Sequence, residues 1–286
     1  MSASRLLLVQ VLNDGARSEI WRTAIAEAGA RAGWEVRQHW GGEVEVPTPD
    51  HDLVVVTWDP SELTLEATDV VILTCDPERA IPALEALGVS HKDAVHHVSR
   101  RFAQASGLIA NGVAWYPNST EKLDLPGLGE VSVSRDTERE HGKASQGGPL
   151  AIYDALPPAS GAEADWDVGL VSYPAYRETD TGTSRISLLG RRRVLFSGPH
   201  VWLTPGRWRV DAVVELDCES LVVVYFEWGL HHEQARHHVE MREAGRYAIS
   251  MIYDWPEAAS AEFRCHLVTP KLEGELIFES LHVTRE

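Results

Sequence analysis

Strict alternation of apolar and polar residues is the feature that most constrains how this chain folds. Between Arg207 and Leu216 the side chains of Trp208, Val210, Ala212 and Val214 alternate with mostly polar neighbours. A period of two places successive side chains on opposite faces of a β-strand, so one face is buried and the other is solvated. Further strands follow at regular intervals between turn residues such as Gly245 and Gly274. Residues 166–286 are therefore predicted to form an all-β antiparallel sandwich of the jelly-roll kind.

The strands of this sandwich are read from apolar or alternating runs. Apart from the strand at Arg207, we predict them at Gly169–Tyr173, Ser184–Leu189, Val201–Leu203, Leu221–Trp228, Ala235–Arg242, Arg246–Trp255, Ala261–Val268 and Glu275–Val283.

Residues 1–116 have a different pattern, in which short apolar runs alternate with helical spacing. The runs Leu6–Leu12, Leu53–Trp58 and Val70–Cys75 are typical of buried parallel strands. We also predict strands at Glu35–Trp40 and Gly112–Tyr116, and helices at Ser18–Ala32, Pro77–Leu87 and Lys92–Ala110. This order predicts an α/β domain with a Rossmann-like parallel sheet.

Periodicity fails between these two regions. Residues 117–165 are rich in Gly, Pro, Ser and charged side chains, as in Pro157–Gly161, and are predicted to be a linker and boundary region. In an alternative interpretation, the stretch Leu150–Leu156 packs against one of the two domains.

Net charge limits the partners of the chain. The formal net charge is -17, and the only dense basic run is Arg191–Arg193. Because such a chain repels phosphate backbones, nucleic acid is excluded as a predicted partner. No run approaches the roughly 18 apolar residues of a membrane span, and no secretory signal precedes Asn13. We expect cytoplasmic synthesis without a Sec signal, with the product free to be carried on a particle or complex.

Three cysteines, Cys75, Cys218 and Cys265, lie in apolar, strand-like sequence. An odd number of widely spaced cysteines predicts buried, reduced thiols. A disulfide between Cys218 and Cys265 is the alternative.

The run Arg193–Val210 carries a Gly-Pro-His-Val-Trp-Leu-Thr-Pro-Gly-Arg-Trp pattern from Gly198 to Trp208. It resembles the opening of carbohydrate-binding-type jelly rolls that accompany bacterial glycosyltransferases and other polysaccharide-synthesis proteins. The resemblance covers roughly the last 120 residues and rests mainly on turn-forming glycines and prolines. It implies that the sandwich binds a polysaccharide.

The N-terminal half is similar to the B component of fructose-type sugar phosphotransferase transporters. The similar pieces are the first strand, the helix Glu19–Gly33, the strand exit Glu35–Gly42 and the stretch Glu62–Leu73. That family has a nucleophilic Cys directly after the first strand, where this chain reads Val-Leu-Asn-Asp-Gly from Val11 to Gly15. The resemblance implies a shared fold without the phosphotransfer chemistry. We therefore expect the domain to attach to a protein partner or to form a homo-oligomer.

Tryptophans of the sandwich are the predicted sugar contacts, because aromatic rings stack on sugar rings while carboxylates bond hydroxyls. Trp208 alternates with Val210 and is predicted to be buried. The predicted carbohydrate-binding residues are Trp202, Trp228, Glu227 and Trp255. Because Trp228 and Trp255 end their strands, we expect both to be exposed.

Two further candidate sites follow from the sequence. Asn13, Gly15 and Ser18 follow the first strand at the start of a helix, a position that favours an anion, but an ordinary capped strand-to-helix turn is the preferred interpretation. His231, His232 and His237 are candidate zinc ligands, but His237 and His238 point to opposite faces of a strand, so solvated hairpin histidines are the preferred interpretation. No metal or cofactor is predicted.

Catalytic motifs are missing from the sequence. It contains no Gly-x-Ser-x-Gly elbow, no Walker loop and no Gly-x-Gly-x-x-Gly, and these absences favour a binding protein over an enzyme. The leading hypothesis is a non-catalytic protein that recognises a surface or capsular polysaccharide, in an assembly complex or on a particle spike. The alternatives are a glycosyltransferase-related or sugar-phosphate-handling enzyme that uses the loop after the first strand, and a structural subunit that assembles with itself.

Overall fold

A computed structural model describes residues 4–12, 15–39, 51–58, 67–134, 147–174 and 184–286. The chain divides into two compact units. The first comprises Met1–Ala94 and Gln104–Ser145, and the second comprises Val95–Ala103 and Gln146–Glu286. In the described parts, no helix has the length and apolar character that crossing a membrane requires.

A five-stranded parallel sheet is the centre of the first unit. Its strands are β1 (Leu6–Val11), β2 (Glu35–His39), β3 (Leu53–Thr57), β4 (Asp69–Thr74) and β5 (Ala114–Pro117). All neighbours are parallel and their order is β2-β3-β1-β4-β5. Every residue of β1 and β3 is buried, which explains their mostly apolar sequence.

Three helices accompany the sheet, namely α1 (Ala16–Ala32), α2 (Pro77–Glu85) and α3 (His91–Ala110). Helix α2 begins with a proline, and the Asp76 side chain accepts a hydrogen bond from the Glu78 backbone N–H. The Ser90 side chain caps α3 in the same way, accepting from Asp93 N–H. Helix α1 ends at Gly33, whose left-handed conformation suits a glycine.

A small hairpin packs against α1. It consists of β6 (Lys122–Leu125) and β7 (Gly129–Ser132). Its buried residues Leu123, Leu125 and Val131 share one core with Trp21 and Ile25 of the helix.

The prediction of an N-terminal α/β domain is confirmed in its main features, a parallel sheet with helices. The strand order differs from that of a Rossmann fold. A Rossmann sheet begins with the order 3-2-1, whereas this sheet begins with β2-β3-β1. The Rossmann-like part of the prediction is therefore not confirmed.

The second unit is built from two antiparallel sheets. Its strands are β8 (Glu163–Trp166), β9 (Arg185–Ser187), β10 (Arg193–Leu203), β11 (Gly206–Asp217), β12 (Val222–Gly229), β13 (Gln234–Met241), β14 (Gly245–Trp255), β15 (Ala259–Leu267) and β16 (Glu275–Arg285). The first sandwich sheet has the order β14-β11-β16-β8, with β9 also pairing with β16. The second sandwich sheet has the order β10-β15-β12-β13.

Aromatic side chains fill the space between the two sheets. Phe196 of β10 stacks on Phe278 of β16 with 4.5 Å between ring centroids. The indole of Trp166 lies 6.1 Å from that of Trp228. Trp208 is fully buried, as its alternation predicted. The predicted antiparallel β-fold of the C-terminal part is confirmed.

The predicted boundary region, residues 117–165, is folded where the structure describes it. Residues 117–134 include the hairpin of the first unit, and β8 pairs with β16 in the second. Just beyond this region, a 3-10 helix, Val168–Leu170, occupies the start of the predicted strand Gly169–Tyr173, so that strand is not formed as predicted. Within the region, another short 3-10 helix, Ala151–Tyr153, buries Ile152 and Tyr153. Low periodicity did not reveal these elements because each is only three or four residues long.

Candidate functional site

The outer face of the second sandwich sheet carries an unusual concentration of charged side chains. Phe226 of β12 and Phe263 of β15 stack inside the sandwich with 5.6 Å between ring centroids. Their sequence neighbours Glu227, Glu262 and Arg264 therefore point to the opposite, outer face. We call the following residues the outer-face cluster: Tyr225, Glu227, His231, Arg236, Glu262, Arg264 and His266.

Two carboxylates form the centre of the cluster. Glu227 and Glu262 are each only 4% exposed. A buried carboxylate is costly unless it is paired and hydrogen-bonded, so their partners determine whether the site is stable.

Three cationic or polar groups surround Glu227. Arg236 donates to its Oε1 from Nε at 3.0 Å and also from Nη2. His266 Nε2 lies 3.0 Å from Glu227 Oε2, and because a carboxylate only accepts, the imidazole donates here. Arg264 adds its charge from the side, with Nη1 at 4.0 Å from Oε2.

A second set of partners surrounds Glu262. Arg264 Nη2 donates to Glu262 Oε2. The same nitrogen lies 2.7 Å from His231 Nδ1, which must accept because a guanidinium only donates. His231 follows β12 in the hairpin loop, and its side chain is 85% exposed. The loop thus extends the network from the sheet into solvent.

A stack of planar groups lies beside the carboxylates. Tyr225 and His266 occupy directly opposite positions on β12 and β15, and their rings stack with 4.3 Å between centroids. The guanidinium carbon of Arg236 lies 4.6 Å from the Tyr225 ring centroid. His238 of β13 approaches the same ring at 5.5 Å. The tyrosine ring is 6% exposed, so Arg236 and His238 present the accessible surface of the stack.

Electrostatics keep one histidine of the cluster neutral. Burial lowers the pKa of His266, and the positive charges of Arg264 and Arg236 lower it further, against the opposing effect of Glu227. The hydrogen bond to Glu227 raises the pKa of Arg236, so this guanidinium is always charged. At neutral pH the cluster therefore combines two arginines, two glutamates and an uncharged His266.

Trp228 and Trp255 are not exposed, so the prediction of exposed rings at these strand ends is wrong. Trp228 is fully buried and donates from Nε1 to Trp208 O at 3.2 Å. Trp255 is 2% exposed and packs edge-on against Trp228, with 4.8 Å between ring centroids. Both indoles point between the sheets, where they meet from opposite sheets. Neither offers a face on which a sugar ring can stack.

Trp202, the third predicted aromatic contact, is half-buried. It packs against the segment Val95–Ala103, where the Arg100 guanidinium lies 5.7 Å from its ring centroid. Its backbone N–H donates to Ser99 Oγ at 3.0 Å. The structure therefore places Trp202 in a packing contact, whereas it places Glu227 at the centre of the outer-face cluster.

The predicted anion site is only partly described. Ser18 is buried, and its hydroxyl donates to Leu12 O at 2.8 Å, which makes it part of the strand-to-helix turn. Gly15 directly precedes α1 with a positive φ of 93°. Asn13 lies outside the described residues. Anion binding at this turn stays a prediction.

The histidines proposed as zinc ligands do not converge. Within the described ranges, no group of three His, Cys, Asp or Glu side chains is placed to hold a metal ion. His231 joins the outer-face cluster, while His232 and His237 are exposed separately. None of the three cysteines forms a disulfide, so the alternative Cys218–Cys265 pairing is not formed. Burial raises the pKa of Cys265 and keeps its thiol protonated.

Most members of the outer-face cluster were missed by the sequence analysis. Glu262, Arg264 and His266 interrupt an otherwise apolar strand at every second position. The same alternation places Tyr225 and Glu227 on one face of β12. These two polar alternations were the sequence signal that could have revealed the outer-face cluster. The signal identifies a solvated face, but the register that joins the two strands is not encoded locally.

Comparison with known proteins gives shape similarity alone. No protein-family model matches the chain. No curated protein matches its sequence significantly.

Several solved structures align with part of the chain at low identity. "Family 16 Carbohydrate Binding Module-2" is 14% identical, with a TM-score of 0.28 over 42% of this chain and 90% of that chain. TmCBM61 in complex with β-1,4-galactotriose is 12% identical, with a TM-score of 0.30 over 43% and 87%. A structure described as "CBM4 structure and function" is 12% identical, with a TM-score of 0.28 over 47% and 94%.

At these scores the likenesses establish neither a family nor a ligand. The resemblance of the N-terminal half to the phosphotransferase B component is not shown.

Proposed function

We propose that the second unit binds carbohydrate through the outer-face cluster and that the protein is not an enzyme. The observation that carries this proposal is the pair of buried carboxylates, Glu227 and Glu262, on an outward sheet face. Glu227 is held by Arg236 and His266, and Glu262 is held by Arg264. Ordinary solvated sheet faces do not bury their charges in this way.

The chemistry of the cluster suits sugar hydroxyls. A hydroxyl both donates and accepts, so a pair of adjacent sugar hydroxyls is matched by a carboxylate beside a guanidinium. Glu227 and Arg236 form such a pair, as do Glu262 and Arg264. Because these groups already fix one another, little side-chain entropy is lost when a ligand binds.

The planar stack supplies the apolar contact that a sugar ring requires. Arg236, 55% exposed, lies over Tyr225 and presents a flat surface next to the carboxylates. Sugars combine such flat contacts with directional hydrogen bonds.

The proposed ligand class is a surface or capsular polysaccharide. The exposed members of the cluster, His231 and Arg236, lie in the hairpin loop and on edge strand β13, so the site extends along the sheet to its rim. A site open at a rim accommodates an internal segment of a polymer. We also interpret the sandwich as a jelly roll, because most connections between β10 and β16 cross from one sheet to the other.

The proposal is tested by glycan-array screening of the full chain, followed by affinity electrophoresis with the polysaccharides retained. We expect Glu227→Gln to weaken binding at least about tenfold, since one lost charged hydrogen bond is worth about 1.5–3 kcal/mol. Glu279→Gln, on β16 of the other sheet, is the matched control and leaves binding unchanged.

His231→Ala separates binding from folding. Its side chain is 85% exposed, so the fold should persist while affinity falls. His237→Ala removes an exposed imidazole of β13 outside the cluster and is its control. Retention of no glycan by the wild type, or equal binding by Glu227→Gln and wild type, contradicts the proposal.

A further inference from the structure

Most edges of the sandwich carry features that block pairing with another strand. In the first sandwich sheet, β8 and β9 are only four and three residues long. In the second, β10 contains Pro199 and two register shifts. Edge strand β13 exposes the charged or polar side chains of Arg236, His237, His238 and Glu240. Short strands, prolines, irregularities and charges are the known means by which proteins protect sheet edges.

Edge strand β14 lacks most of these features, and its exposed charges lie only near its two ends. It contains eleven residues and no proline, and all eleven pair with β11 in one unbroken register. Its exposed positions are uncharged in the centre, at Ala248, Ser250 and Ile252. Ile252 is 39% exposed. In the ranges that the structure describes, no segment pairs with the free side of β14. The strand is therefore a regular, unprotected template for pairing.

We propose that β14 pairs with β14 of a second copy of this chain, antiparallel and centred on Ser250. With a twofold axis at Ser250, each residue of one strand lies opposite a residue of the partner strand. The two residues are equally far from Ser250, in opposite directions along the sequence. Arg246 then faces Asp254 of the partner subunit, and Asp254 faces Arg246 of the partner subunit. One register thus creates two opposite-charge pairs at the ends of the interface.

The central positions match equally well in this register. Ala248 faces Ile252 of the partner subunit, so a small apolar side chain meets a larger one. Ser250 meets its own copy at the axis, where neighbouring Cβ atoms lie about 4.5–5.5 Å apart. On the side that faces the sandwich interior, Tyr247 and Tyr253 are opposed, and both are partly exposed without a partner copy.

Both charged end residues are accessible for the proposed contacts. The Arg246 side chain is 69% exposed and donates to Glu279 of its own chain from Nε and Nη2. A guanidinium has five N–H donors, so this internal bond leaves donors for a carboxylate across the interface. Asp254 is exposed at the other end of the strand.

A symmetric pair of this kind has a consequence for ligand display. The twofold axis of an antiparallel strand pair is perpendicular to the sheet, so the second sandwich sheets of both copies lie on the same side. If the outer-face cluster binds glycan, the dimer presents two sites to one polymer, which raises avidity without any new contact. The dimer itself does not depend on the proposed function.

Sedimentation equilibrium of the full chain over a range of concentrations tests the proposal. We expect a mass approaching twice 31.7 kDa as concentration rises. Ser250→Arg places two like charges at the axis and should shift the dissociation constant upward by about tenfold or more. Ser280→Arg introduces the same side chain at an exposed serine of the same sheet face, on inner strand β16, and should leave the mass unchanged.

Charge reversal tests the register. Arg246→Asp and Asp254→Arg should each weaken the dimer, because each creates two like-charge pairs. The double variant, with both substitutions, restores opposite charges and should recover the dimer. Circular dichroism of each variant verifies that the monomer remains folded.

Three results would overturn the proposal. They are a wild type that is monomeric at all concentrations, a dimer that Ser250→Arg leaves intact, and a double variant no tighter than the single ones. Because mass is measured without glycan, failure here is distinguishable from failure of the proposed binding function.

Discussion

The ring of Tyr225 lies almost parallel to the imidazole of His266, with 17° between the planes and 4.3 Å between the centroids. The two residues are directly opposite in the β12–β15 register. This pair connects the aromatic part of the outer-face cluster to its charged part, because His266 also bonds Glu227. Stacking and charge are therefore coupled through one imidazole.

Tyr225→Phe and Tyr225→Ala separate the ring from the rest of the site. Phenylalanine keeps the stack, so we expect stability within about 1 kcal/mol of wild type and retained glycan binding. Alanine removes a buried ring and should lower the free energy of unfolding by about 2–4 kcal/mol, with loss of binding. Urea denaturation and affinity electrophoresis measure the two effects. Equal behaviour of both variants would show that the ring has no role in the cluster.

His266 should make the stability of the second unit depend on pH. Its pKa in the folded state is lowered from the ordinary value of 6.5. Below that value the unfolded chain takes up a proton more readily than the folded one, so this contribution to stability is lost as pH falls through about 6.5. It levels off once the pH is below the folded-state pKa as well.

The measurement compares denaturation of wild type and His266→Gln at pH 8 and at pH 5.5. We expect the free energy of unfolding of His266→Gln, relative to that of the wild type, to be higher at pH 5.5 than at pH 8. His237→Gln controls for the loss of an imidazole outside the cluster. An unchanged difference between wild type and His266→Gln at the two pH values would contradict the assignment.

Strands and helices were predictable because their patterns are local. The alternation around Trp208 and the apolar run of β3 each identified an element from about ten residues or fewer. The outer-face cluster was not predictable in full, because it depends on which strands lie next to β12. Glu227 was singled out from the sequence, whereas Arg264 and His266 required the β12–β15 register.

The burial of Trp228 and Trp255 could not be predicted from the sequence for a related reason. A residue at the end of a strand is exposed only if nothing from the opposite sheet covers it. Trp228 and Trp255 come from different sheets and meet in the core, which neither strand reveals alone.

Trp228→Ala should therefore act on stability and not specifically on glycan contact. The indole is fully buried and bonded to Trp208 O, so its removal should cost about 3–5 kcal/mol. Trp228→Phe retains much of the volume and should cost less. Guanidinium denaturation checks both. A variant as stable as wild type would mean that the indole does not pack between the sheets.

Gly229→Ala should destabilise the hairpin that carries His231. Gly229 has φ +149, and an added Cβ would lie 2.7 Å from Glu233 O and 3.0 Å from the Gln234 Cα. Both obstacles are backbone atoms of the hairpin and yield only if the loop moves. We expect a loss of stability well above about 1 kcal/mol, together with weaker glycan binding.

Gly245→Ala is the matched control for this variant. Gly245 has nearly the same backbone conformation, φ +146, but nothing lies within 4 Å of its added Cβ. It therefore reports the conformational strain without the clash. If both variants lose the same stability in denaturation at one protein concentration, the steric argument for Gly229 is wrong.

Arg17→Lys should loosen the β6–β7 hairpin of the first unit. Arg17 donates to three backbone carbonyls, at Asn118 (3.0 Å), Thr120 (3.1 Å) and Ser134 (2.8 Å). The planar guanidinium of arginine directs N–H groups at all three carbonyls, whereas the ammonium of lysine cannot reproduce these three directions. We therefore expect the free energy of unfolding to fall by about 1–3 kcal/mol. Hydrogen exchange should rise in residues 118–134 while the strands of the second unit keep their protection. Arg31→Lys, on the same helix and 69% exposed, is the control and should change neither. Equal exchange in both variants would mean that the carbonyl contacts of Arg17 do not hold the hairpin against α1.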